Sequence, residues 1–591
     1  MSTRSVLSLT AILAVTASLV ACTSGNGGGN VPAEAPAPRT GNMIFIHPDG
    51  TDAAVWELAR DYWYGPDAVS HWDRLPVAVP YRGHASDSLT TSSNGGATTH
   101  AFGFKTDAPD SFGTDSGAPE ATGGDAAEPR RLEALSGYPG SWLREAANAG
   151  LPVGVVNDGD VAEPGTAAFL TEVTERTDAS ALEISRQLIQ GRPGFDAADS
   201  QPVVVMGGGE DLFLPTGTPV CTAAELGSVA GPVSTTPTTC VVHRAAGDTV
   251  DDDGPSPTGG LRTDGLNVAA AAVQAGYTLV RTRAEFEALR TAVQENRVDP
   301  AQLKVLGLFA VQDIFNAETE EDLAAARLVD PSVPADARET NLVLYGSEPG
   351  TPGYRPPTAP EMTGLATTVL QAHATAAGRP FATVWEVEGT DNMANINNGI
   401  GTLLEARYAN EVIAGAREFL AGNPNTTLLT AADGDAGGLQ GLAYNVDEPL
   451  PGTTATIDQN PGLTEVDGAA VPIAQNTVDG RYGAGTAPFT TAPDQFGQQV
   501  PFALAWTSTE DLSGAVVSRA EGLAAPTVAG MSARFDNVDV YRIAYLTLFG
   551  QSLAYPTGRV APTRGDGAGP AGATPGQPLS DRVTEQVVPA P

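Results

Sequence analysis

The sequence predicts an α/β fold of three layers, in which helices cover both faces of a mostly parallel central sheet. One observation is that short, continuous apolar runs recur along the chain, as at 43–46 (MIFI) and 203–206 (VVVM). Such runs are typical of strands that are buried on both faces. The second observation is that stretches with a helical apolar period alternate with these runs, as at 401–422. This alternation is the pattern of parallel strands joined by crossover helices.

The first predicted elements lie in the N-terminal third of the chain. An apolar run at 42–48 predicts a strand that leads into an Asp-Gly turn. The segment 141–149 predicts a helix that ends at glycine 150, since glycine readily adopts the left-handed conformation found at helix C-termini. A strand is predicted at 151–158. The next helix is predicted to begin at a capping residue, either Asp178 or Ser180.

The later elements continue the same alternation. Five continuous apolar runs predict buried strands at 202–209, 304–310, 381–389, 426–435 and 501–508. We interpret the loop-rich segments at about 210–300 and 440–500 as insertions into one large domain, residues 42–555. The tail at 556–591 is rich in Gly and Pro, and we expect it to be disordered.

The charge of the chain excludes one class of function. Its 591 residues include 32 Lys and Arg against 70 Asp and Glu, which gives a net charge of −38. A nucleic-acid-binding face needs stripes of basic residues that neutralise phosphates, so we expect no such face. The acidity is compatible with a small phosphorylated substrate held by metal ions and one arginine.

The N-terminus predicts export. Arg4 precedes an apolar run that ends in Leu-Val-Ala-Cys at Cys22, and the run is too short for a convincing spanning helix. This segment resembles a bacterial lipoprotein signal. The resemblance implies a signal peptide at 1–21, lipid on Cys22 and a flexible tether at 22–41, so that the exported protein meets the membrane only through its lipid. The alternative is an ordinary secretion signal with an incidental cysteine.

Two further cysteines, Cys221 and Cys240, flank a segment rich in Ser, Thr and Pro. In an exported protein, two cysteines at such a spacing predict a disulfide. A metal site is the alternative, and the chain has no second cysteine pair to complete it.

Acidic residues follow three of the predicted strands. Asp49 follows the first strand, Glu388 and Asp391 follow the strand at 381–389, and Asp433 follows the strand after that. Because ligands bind outside the carboxyl ends of the strands in open α/β sheets, we expect these side chains to meet. One such residue is usually a helix cap or a turn residue. Several of them at equivalent places repel one another unless a cation or a proton intervenes, so the pattern predicts a shared cation site.

A second candidate segment is LTTSSNGGATTHAFGFKT at 89–106. Its two serines, Ser92 and Ser93, precede an Asn-Gly-Gly sequence, and small residues let the backbone approach a ligand closely. One interpretation is an exposed surface loop. The other is a serine nucleophile, and the segment alone supports both.

Together these segments resemble the alkaline phosphatase family, over about residues 42–551. MIFIHPDG is similar to the strand that carries the family's first metal-binding aspartate, and TSSNGGATTHAFGFKT is similar to its nucleophile segment. VVVMGGGEDLF, VEGTD and NTTLLTAADGDAGG follow in the order of the family motifs. The joint order and spacing of these motifs carry the resemblance.

The resemblance implies a role for each matched residue. Counting back from Lys105 places the nucleophile at Ser93, and the segment that ends at Arg176 places the phosphate-clamping arginine there. The metal-binding acids fall on Asp49, Glu388, Asp391 and Asp433. The family mechanism then implies that the serine attacks phosphorus, that metal ions lower its pKa and neutralise the leaving oxygen, and that water hydrolyses the phosphoserine.

The chain departs from the family at several metal ligands. Members typically bind two zinc ions with three histidines, but the matching positions here are Asn395, Gly434 and the segment 506–514, which contains no histidine. The family's threonine ligand for magnesium aligns with Gly165, near Glu163. We therefore expect a site built from oxygen ligands.

These departures change the expected metal. Besides the four matched acids, Asn392, Asn395, Asp435 and Glu163 offer oxygen atoms. Oxygen ligands suit magnesium, calcium or manganese better than zinc. For Asn392 and Asn395 the alternative is that the side-chain amide caps a turn and binds no metal.

Four residues near the matched motifs are candidates for supporting roles. Ser92 stands where the family has an aspartate beside the nucleophile. His84 and His100 flank the nucleophile segment, either as an acid or a metal ligand or as hydrogen-bonded supports. His47 precedes Asp49 on its strand, and we expect it to contact a metal ligand rather than a metal.

The function that these observations favour is metal-dependent hydrolysis of small phosphate monoesters through a phosphoserine, outside the cytoplasm. Two alternatives stay open. One is a phosphodiesterase or a sulfatase-like hydrolase of the same superfamily. The other is a lipoprotein that binds phosphate or metal without catalysis.

Overall fold

A nine-stranded sheet forms the centre of the fold. In spatial order its strands are β2 (Val77–Pro80), β21 (Val517–Gly522), β12 (Thr426–Thr430), β1 (Asn42–Pro48), β11 (Ala382–Val387), β5 (Val153–Asp160), β6 (Val204–Gly208), β10 (Lys304–Leu308) and β9 (Tyr277–Val280). The run from β12 to β9 is parallel, whereas β21 is antiparallel to both of its neighbours. The predicted mostly parallel sheet is confirmed.

The structure is a computed structural model, and it describes only part of the chain. The described residues are 40–106, 112–115, 130–174, 177–192, 194–197, 199–222, 225, 236–242, 250–251, 254–255, 259–315, 317, 356–442, 465–466, 469–470, 478–480 and 489–557. They all belong to one compact unit, Arg39–Pro591. The predicted signal peptide with Cys22, the candidate Arg176 and the tail from residue 558 onward lie outside the described residues.

Helices surround the sheet. They are α1 (Ala53–Trp63), α2 (Ser93–Phe102), α3 (Trp142–Asn148), α4 (Pro164–Ala167), α5 (Asp178–Gln190), α6 (Val268–Gln274), α7 (Arg283–Gln294), α8 (Ala359–Ala377), α9 (Gly389–Asn395), α10 (Gly399–Gly422), α11 (Ala525–Gly530) and α12 (Asn537–Phe549), with short 3₁₀ turns at Glu210–Phe213 and Pro300–Gln302. Of the helices in the described ranges, none has the length and apolar character needed to cross a membrane.

Short antiparallel strands lie outside the central sheet. β13 (Asp435–Ala436) pairs with β20 (Asp511–Leu512), and β14 (Gln440–Leu442), β17 (Val478–Asp479) and β18 (Phe489–Thr490) pair with β19 (Pro501–Ala505). The remaining pairs are β3 (Thr114–Asp115) with β4 (Arg130–Arg131), β7 (Val250–Asp251) with β8 (Gly254–Pro255), and β15 (Glu465–Val466) with β16 (Ala469–Ala470).

The two faces of the central sheet bury separate apolar clusters. Along β1, Met43 and Phe45 belong to one cluster, and Ile44 and Ile46 belong to the other. This alternation is expected of a pleated strand that is covered on both faces. Helices α2, α3, α5, α6, α11 and α12 contribute to the first cluster, and α7, α8 and α10 to the second. The predicted three layers are thus confirmed.

One predicted central strand is wrong. The apolar run at 501–508 forms β19, which lies in the small antiparallel sheet and not in the central one. Its residue Leu504 is buried against Val55 and Leu58 of α1. A continuous apolar run indicates only that a strand is buried on both faces. Here residues of α1 cover one face of β19, so the run does not place the strand in the central sheet.

The described residues of the segment at 210–300 include regular elements that its loop-rich composition did not predict. Its second half contains α6, α7 and β9, which is the edge strand of the central sheet. In its first half the predicted disulfide is confirmed, with the Cα atoms of Cys221 and Cys240 4.8 Å apart.

The start of α5 also differs from the prediction. Thr177, rather than Asp178 or Ser180, is its N-cap, and the Thr177 side chain accepts a hydrogen bond from the backbone N–H of Ser180. The threonine is one of the preferred capping residues, and it was overlooked because two further candidates follow it.

Candidate metal centre and active site

Three adjacent strands bring acidic side chains to one edge of the sheet. Strands β12, β1 and β11 are neighbours, and Asp433, Asp49 and Glu388 follow their carboxyl ends. These three residues are at most 3% exposed. The structure therefore brings together the acids that the sequence predicts to meet.

A row of three polar side chains crosses the sheet next to these acids. In the parallel register, His47 of β1 pairs with Glu386 of β11, and Glu386 pairs with Asn157 of β5. His47 Nδ1 lies 3.3 Å from Glu386 Oε1, and Asn157 Nδ2 donates to Glu386 Oε2 at 2.6 Å. The opposite ring atom, His47 Nε2, lies 3.3 Å from Asp49 Oδ1 and 3.8 Å from Asp433 Oδ1. Glu386 thus fixes the imidazole ring of His47 so that its Nε2 atom faces Asp49 and Asp433.

Glu386 occupies the space that a side chain at residue 165 would need. A Cβ atom added to Gly165 would lie 1.7 Å from Glu386 Oε1 and 2.3 Å from His47 Nδ1. Residue 165, which the family resemblance aligns with a threonine ligand, has no room for a side chain while Glu386 keeps this position. A carboxylate from β11 thus fills the space beside Gly165.

Four acids and His47 form two compact groups of possible metal ligands, and the groups share one residue. His47, Asp49 and Asp433 each offer a ligand atom within 4.8 Å of the others, and so do Asp49, Glu386 and Glu388. Asp49 belongs to both groups. Asp49 could therefore contact a cation in either group, and the groups include two residues, His47 and Glu386, that are not among the predicted ligands.

Several buried oxygen atoms in these groups have no donor. Asp49 Oδ2, Asp433 Oδ2 and Glu388 Oε2 accept no hydrogen bond from an N–H group in the described part of the chain. The carboxyls of Asp49 and Asp433 lie within hydrogen-bond range of each other. Because buried carboxylates need a proton, a donor or a cation, this donor set fits divalent cations.

Burial dominates the electrostatics of the groups. It raises the pKa of Asp433 and of Glu388 well above the usual range, and the charges of Asp49 and Glu386 respectively raise these pKa values further. Burial alone would lower the pKa of His47, but its hydrogen bond to Glu386 and the charge of Asp433 outweigh burial and raise that pKa. The metal-free site therefore retains protons that cations would displace.

Ser93 is the first residue of α2 and is 8% exposed. The first turn of this helix packs against Asp433, since a Cβ atom added to Gly96 would lie only 2.4 Å from the Asp433 Cβ. The free N–H groups of a first helical turn favour negative charge. All ten residues of α2 are buried, so the interpretation of this segment as a surface loop is wrong.

Asp391 and Asn395 of α9 lie beside the two groups. Asn395 Nδ2 donates to Asp391 Oδ2 at 3.0 Å and to Asp511 Oδ1 at 3.1 Å, while Asn395 Oδ1 accepts from the Gly437 N–H at 3.1 Å. Asn395 thus holds two carboxylates instead of directing its oxygen to a cation. On the same helix, Asn392 Nδ2 donates to Asp313 Oδ2 at 3.5 Å.

Asp435 and Glu163 lie at the margins of the site. Asp435 is 5% exposed and belongs to neither three-residue group. Burial, with the charge of Asp52, raises its pKa to about 8. Glu163 precedes α4, and its charge contributes to the raised pKa of Glu388.

The two histidines near the nucleophile segment have structural contacts. His100 is fully buried, its Nε2 lies 2.6 Å from the Tyr81 hydroxyl, and its ring meets the His47 ring edge-on at 5.5 Å. Burial lowers the pKa of His100 well below its usual value, and His47 adds to the effect. His84 donates from Nδ1 to the Ala85 carbonyl at 2.8 Å. Each histidine therefore makes a hydrogen bond to a neighbouring protein group, as expected of a residue in a supporting role.

Ser92 is the N-cap residue of α2. Its carbonyl accepts from the Gly96 N–H at 2.9 Å, and its side chain makes no capping hydrogen bond. Lys105, from which the position of the nucleophile was counted, forms an ion pair with Asp536 at 3.0 Å and donates to the His84 carbonyl. These contacts anchor the end of the segment, and at its start Ser93, not Ser92, is the first residue of the helix.

Comparison with known proteins identifies the family. The family model described as alkaline phosphatase matches residues 41–460, well over half of the chain. The chain belongs to the alkaline phosphatase family. This confirms the predicted resemblance and makes the protein a phosphoric monoester hydrolase of a family that uses divalent metals.

A solved structure of an alkaline phosphatase shares the fold. The structure is similar to that of the enzyme from the Antarctic bacterium TAB5, with a TM-score of 0.50 and 14% identity, over 86% of this chain and 99% of that chain. The enzyme from Thermus thermophilus aligns with a TM-score of 0.49 and 18% identity, over 86% of this chain and 92% of that one. A search of curated proteins found no significant match.

Two residues outside the predicted ligand set, Glu386 and His47, belong to the groups of side chains that could hold a metal ion. Both lie two residues before a predicted ligand, Glu388 and Asp49 respectively. Because residues i and i+2 of a strand share a face, this spacing was the signal that could have found them.

We expect the metal-free alkaline phosphatase to lose stability as the pH rises. A carboxyl with a raised folded-state pKa contributes stability that is fully present below the unfolded value of about 4 and is lost as pH rises through the folded value. For Asp435 that folded value is about 8. Thermal unfolding of chelator-treated protein should give a Tm that falls between roughly pH 5 and pH 9. Added magnesium should oppose the fall most strongly at high pH, and a Tm that rises with pH in the metal-free protein would contradict the expectation.

Proposed function

We propose that this alkaline phosphatase hydrolyses small phosphate monoesters through a phosphoserine on Ser93, using divalent cations held mainly by oxygen ligands. One observation carries the proposal: the first turn of α2, which begins at Ser93, packs through Gly96 against Asp433, a member of a buried acid cluster in which several oxygen atoms lack donors. A phosphoryl group is anionic, so it fits between a helix N-terminus and bound cations.

Two cation positions follow from the two groups of side chains. His47 Nε2, Asp49 and Asp433 would hold the ion nearer to Ser93, and Asp49, Glu386 and Glu388 would hold the second. The second position has only carboxylates, which are ligands of magnesium, calcium and manganese. The first has a single imidazole, supplied from β1.

The proposed reaction has two steps, the formation of a phosphoserine and its hydrolysis. Ser93 Oγ loses its proton to solvent and attacks phosphorus, and the bond from phosphorus to the leaving oxygen breaks as the phosphoserine forms. The leaving oxygen takes up a proton from water and departs as the alcohol. Water attacks the phosphoserine in the second step, inorganic phosphate leaves, and the serine oxygen recovers its proton. Bound cations supply charge that lowers the pKa of the serine hydroxyl and neutralises the leaving oxygen. The N–H groups of the first turn of α2 stabilise the phosphoryl oxygens, and Arg176 would hold two of them through its guanidinium.

Restoration of activity by different metals tests the choice of cation. We expect chelator-treated protein to regain turnover of p-nitrophenyl phosphate with magnesium, manganese or calcium, and to respond poorly to zinc, because oxygen ligands dominate both positions. Full restoration by zinc alone would contradict the proposed ligand set.

The same preparations, assayed with a phosphate diester and a sulfate ester, should turn these over much more slowly. Faster turnover of either would favour the alternative hydrolase.

We propose further that the protein is exported and anchored by lipid on Cys22, as the N-terminal sequence predicts. Cys22→Ala should prevent lipid attachment and move the protein from the membrane fraction to the soluble exported fraction, or block its processing. Fractionation and intact-mass measurement of both proteins check this. A variant that stays in the membrane fraction with a mass changed only by the substitution would contradict the lipid anchor.

A further inference from the structure

A buried pair of acids lies behind the second cation position. Asp158 of β5 and Glu405 of α10 come from distant parts of the chain, yet their carboxyls lie within hydrogen-bond range of each other. The two residues are 3% and 2% exposed. Neither belongs to the two groups of possible metal ligands, and the proposed reaction gives neither of them a role.

Asp158 holds the backbone at the start of α9. Its Oδ1 accepts a hydrogen bond from the Glu388 N–H at 2.7 Å and a longer one from the Gly389 N–H at 3.4 Å. The Glu388 side chain packs on the next residue of β5, since a Cβ atom added to Gly159 would lie 2.7 Å from Glu388 Cγ. Because Glu388 is one of the three possible ligands of the second cation, Asp158 fixes the backbone of a ligand.

Glu405 packs against the same stretch of backbone. A Cβ atom added to Gly389 would lie 2.6 Å from Glu405 Cγ and 2.8 Å from its Cδ, with the Phe315 ring 3.0 Å away. Phe315 forms a small buried apolar cluster with Met393 and Leu404. The carboxyl of Glu405 therefore lies beside apolar side chains, where an unpaired charge is costly.

Two ionised carboxylates do not lie in contact in such surroundings unless a proton or a cation joins them. Burial raises the pKa of both carboxyls. The two backbone N–H groups lower the pKa of Asp158, whereas the charge of Asp158 raises that of Glu405 further. A single proton on Glu405 thus satisfies the pair, and Asp158 stays charged opposite the two N–H groups.

We propose that Glu405 is a positioning residue of the second cation position: its protonated carboxyl donates a hydrogen bond to Asp158, which in turn holds Glu388 in place as a ligand. The inference rests on the proposed function and adds to it a pair of residues that act through Glu388. Groups that orient a metal ligand in this way typically contribute about 10- to 100-fold to metal affinity.

Manganese binding to the metal-free, full-length protein tests the proposal. Glu405→Leu removes the donor and keeps a side chain of similar size. We expect this variant to bind one manganese ion roughly 10- to 100-fold more weakly, and to bind the ion held by His47, Asp49 and Asp433 as the parent does. Glu405→Gln keeps an N–H donor to Asp158, so it should bind every ion as the parent does.

Leu404→Ala is the matched control for packing. It opens a cavity in the apolar cluster next to Glu405, so its Tm should fall. Its manganese affinity should not change, because the hydrogen bond from Glu405 to Asp158 is kept. If Glu405→Leu does not fold, Asp158→Ala takes its place, since it removes the acceptor of the Glu388 N–H and should weaken the same ion.

Three outcomes would overturn this inference alone. One is unchanged manganese affinity in Glu405→Leu, or in Asp158→Ala where that variant replaces it. Another is equal weakening in Leu404→Ala, which would assign the effect to packing. The third is loss of an ion in Glu405→Gln, which would show that the two carboxyls share a cation and not a proton. A parent protein that binds no manganese at all would overturn the proposed function with it.

Discussion

Replacing Ser93 with alanine should lower kcat for a phosphate monoester by roughly 10³- to 10⁶-fold, the range expected when a covalent nucleophile is removed. The reason is that Ser93 Oγ forms the bond to phosphorus, and water held at the same place lacks the positioning of a covalently attached oxygen. Folding should be unaffected, because alanine is tolerated at the first position of a helix and the Ser93 side chain does not cap α2. Steady-state kinetics and circular dichroism of the two proteins check both statements.

Ser92→Ala is the matched control. Ser92 precedes α2, and its side chain makes no capping hydrogen bond, so its loss should reduce kcat far less than the loss of Ser93. The opposite ranking of the two variants would show that the nucleophile is Ser92 and that the count from Lys105 is off by one residue.

Asp49→Asn should lower metal content and turnover together, the latter by roughly 10²-fold or more. Asp49 belongs to both groups of ligand atoms, so one substitution weakens both cation positions. The asparagine keeps an Oδ1 that can accept from the Gly50 N–H, as Asp49 Oδ1 does at 3.0 Å. The local turn should therefore persist while the charge is lost. Elemental analysis and kinetics on the same preparation measure the two effects.

Two further variants serve as comparisons for Asp49→Asn. Asp433→Asn should affect the cation nearer to Ser93 and spare the other, because Asp433 belongs to only one group. Glu57→Gln, which removes an exposed charge on α1, should change neither metal content nor turnover. Full metal content in Asp49→Asn together with lost activity would contradict the bridging role.

Much of this site could be predicted from local sequence. Continuous apolar runs located β1, β11 and β12, and the acids at their ends had to meet once these strands were parallel neighbours. The meeting of these acids was predictable because it depended on a few consecutive residues and on one general property of parallel sheets. The assignment of Ser93 as the nucleophile rests on its spacing to Lys105, which forms an ion pair with Asp536, and it stays a prediction.

The remaining ligands depend on contacts between distant segments. His47 meets Glu386 through the register of β1 and β11, and Asn157 reaches Glu386 where the register of β5 and β6 shifts. Neither register is encoded in a local pattern. Asn395 illustrates the same limit: its chemistry allowed an oxygen ligand, but the Gly437 N–H takes that oxygen. The close approach of Glu386 to Gly165 is likewise a contact between distant segments, which no local pattern predicts.

The most direct test of the account is to stop the reaction with acid during turnover and locate the phosphoryl group by peptide mass spectrometry. Protein loaded with magnesium or manganese and mixed with a phosphate monoester should carry one phosphoryl group, on Ser93, in the peptide that contains residues 89–105. Chelator-treated protein and Ser93→Ala should carry none. A phosphoryl group on Ser92 or on a histidine, or turnover with no phosphorylated peptide at any quench time, would contradict a phosphoserine mechanism at Ser93.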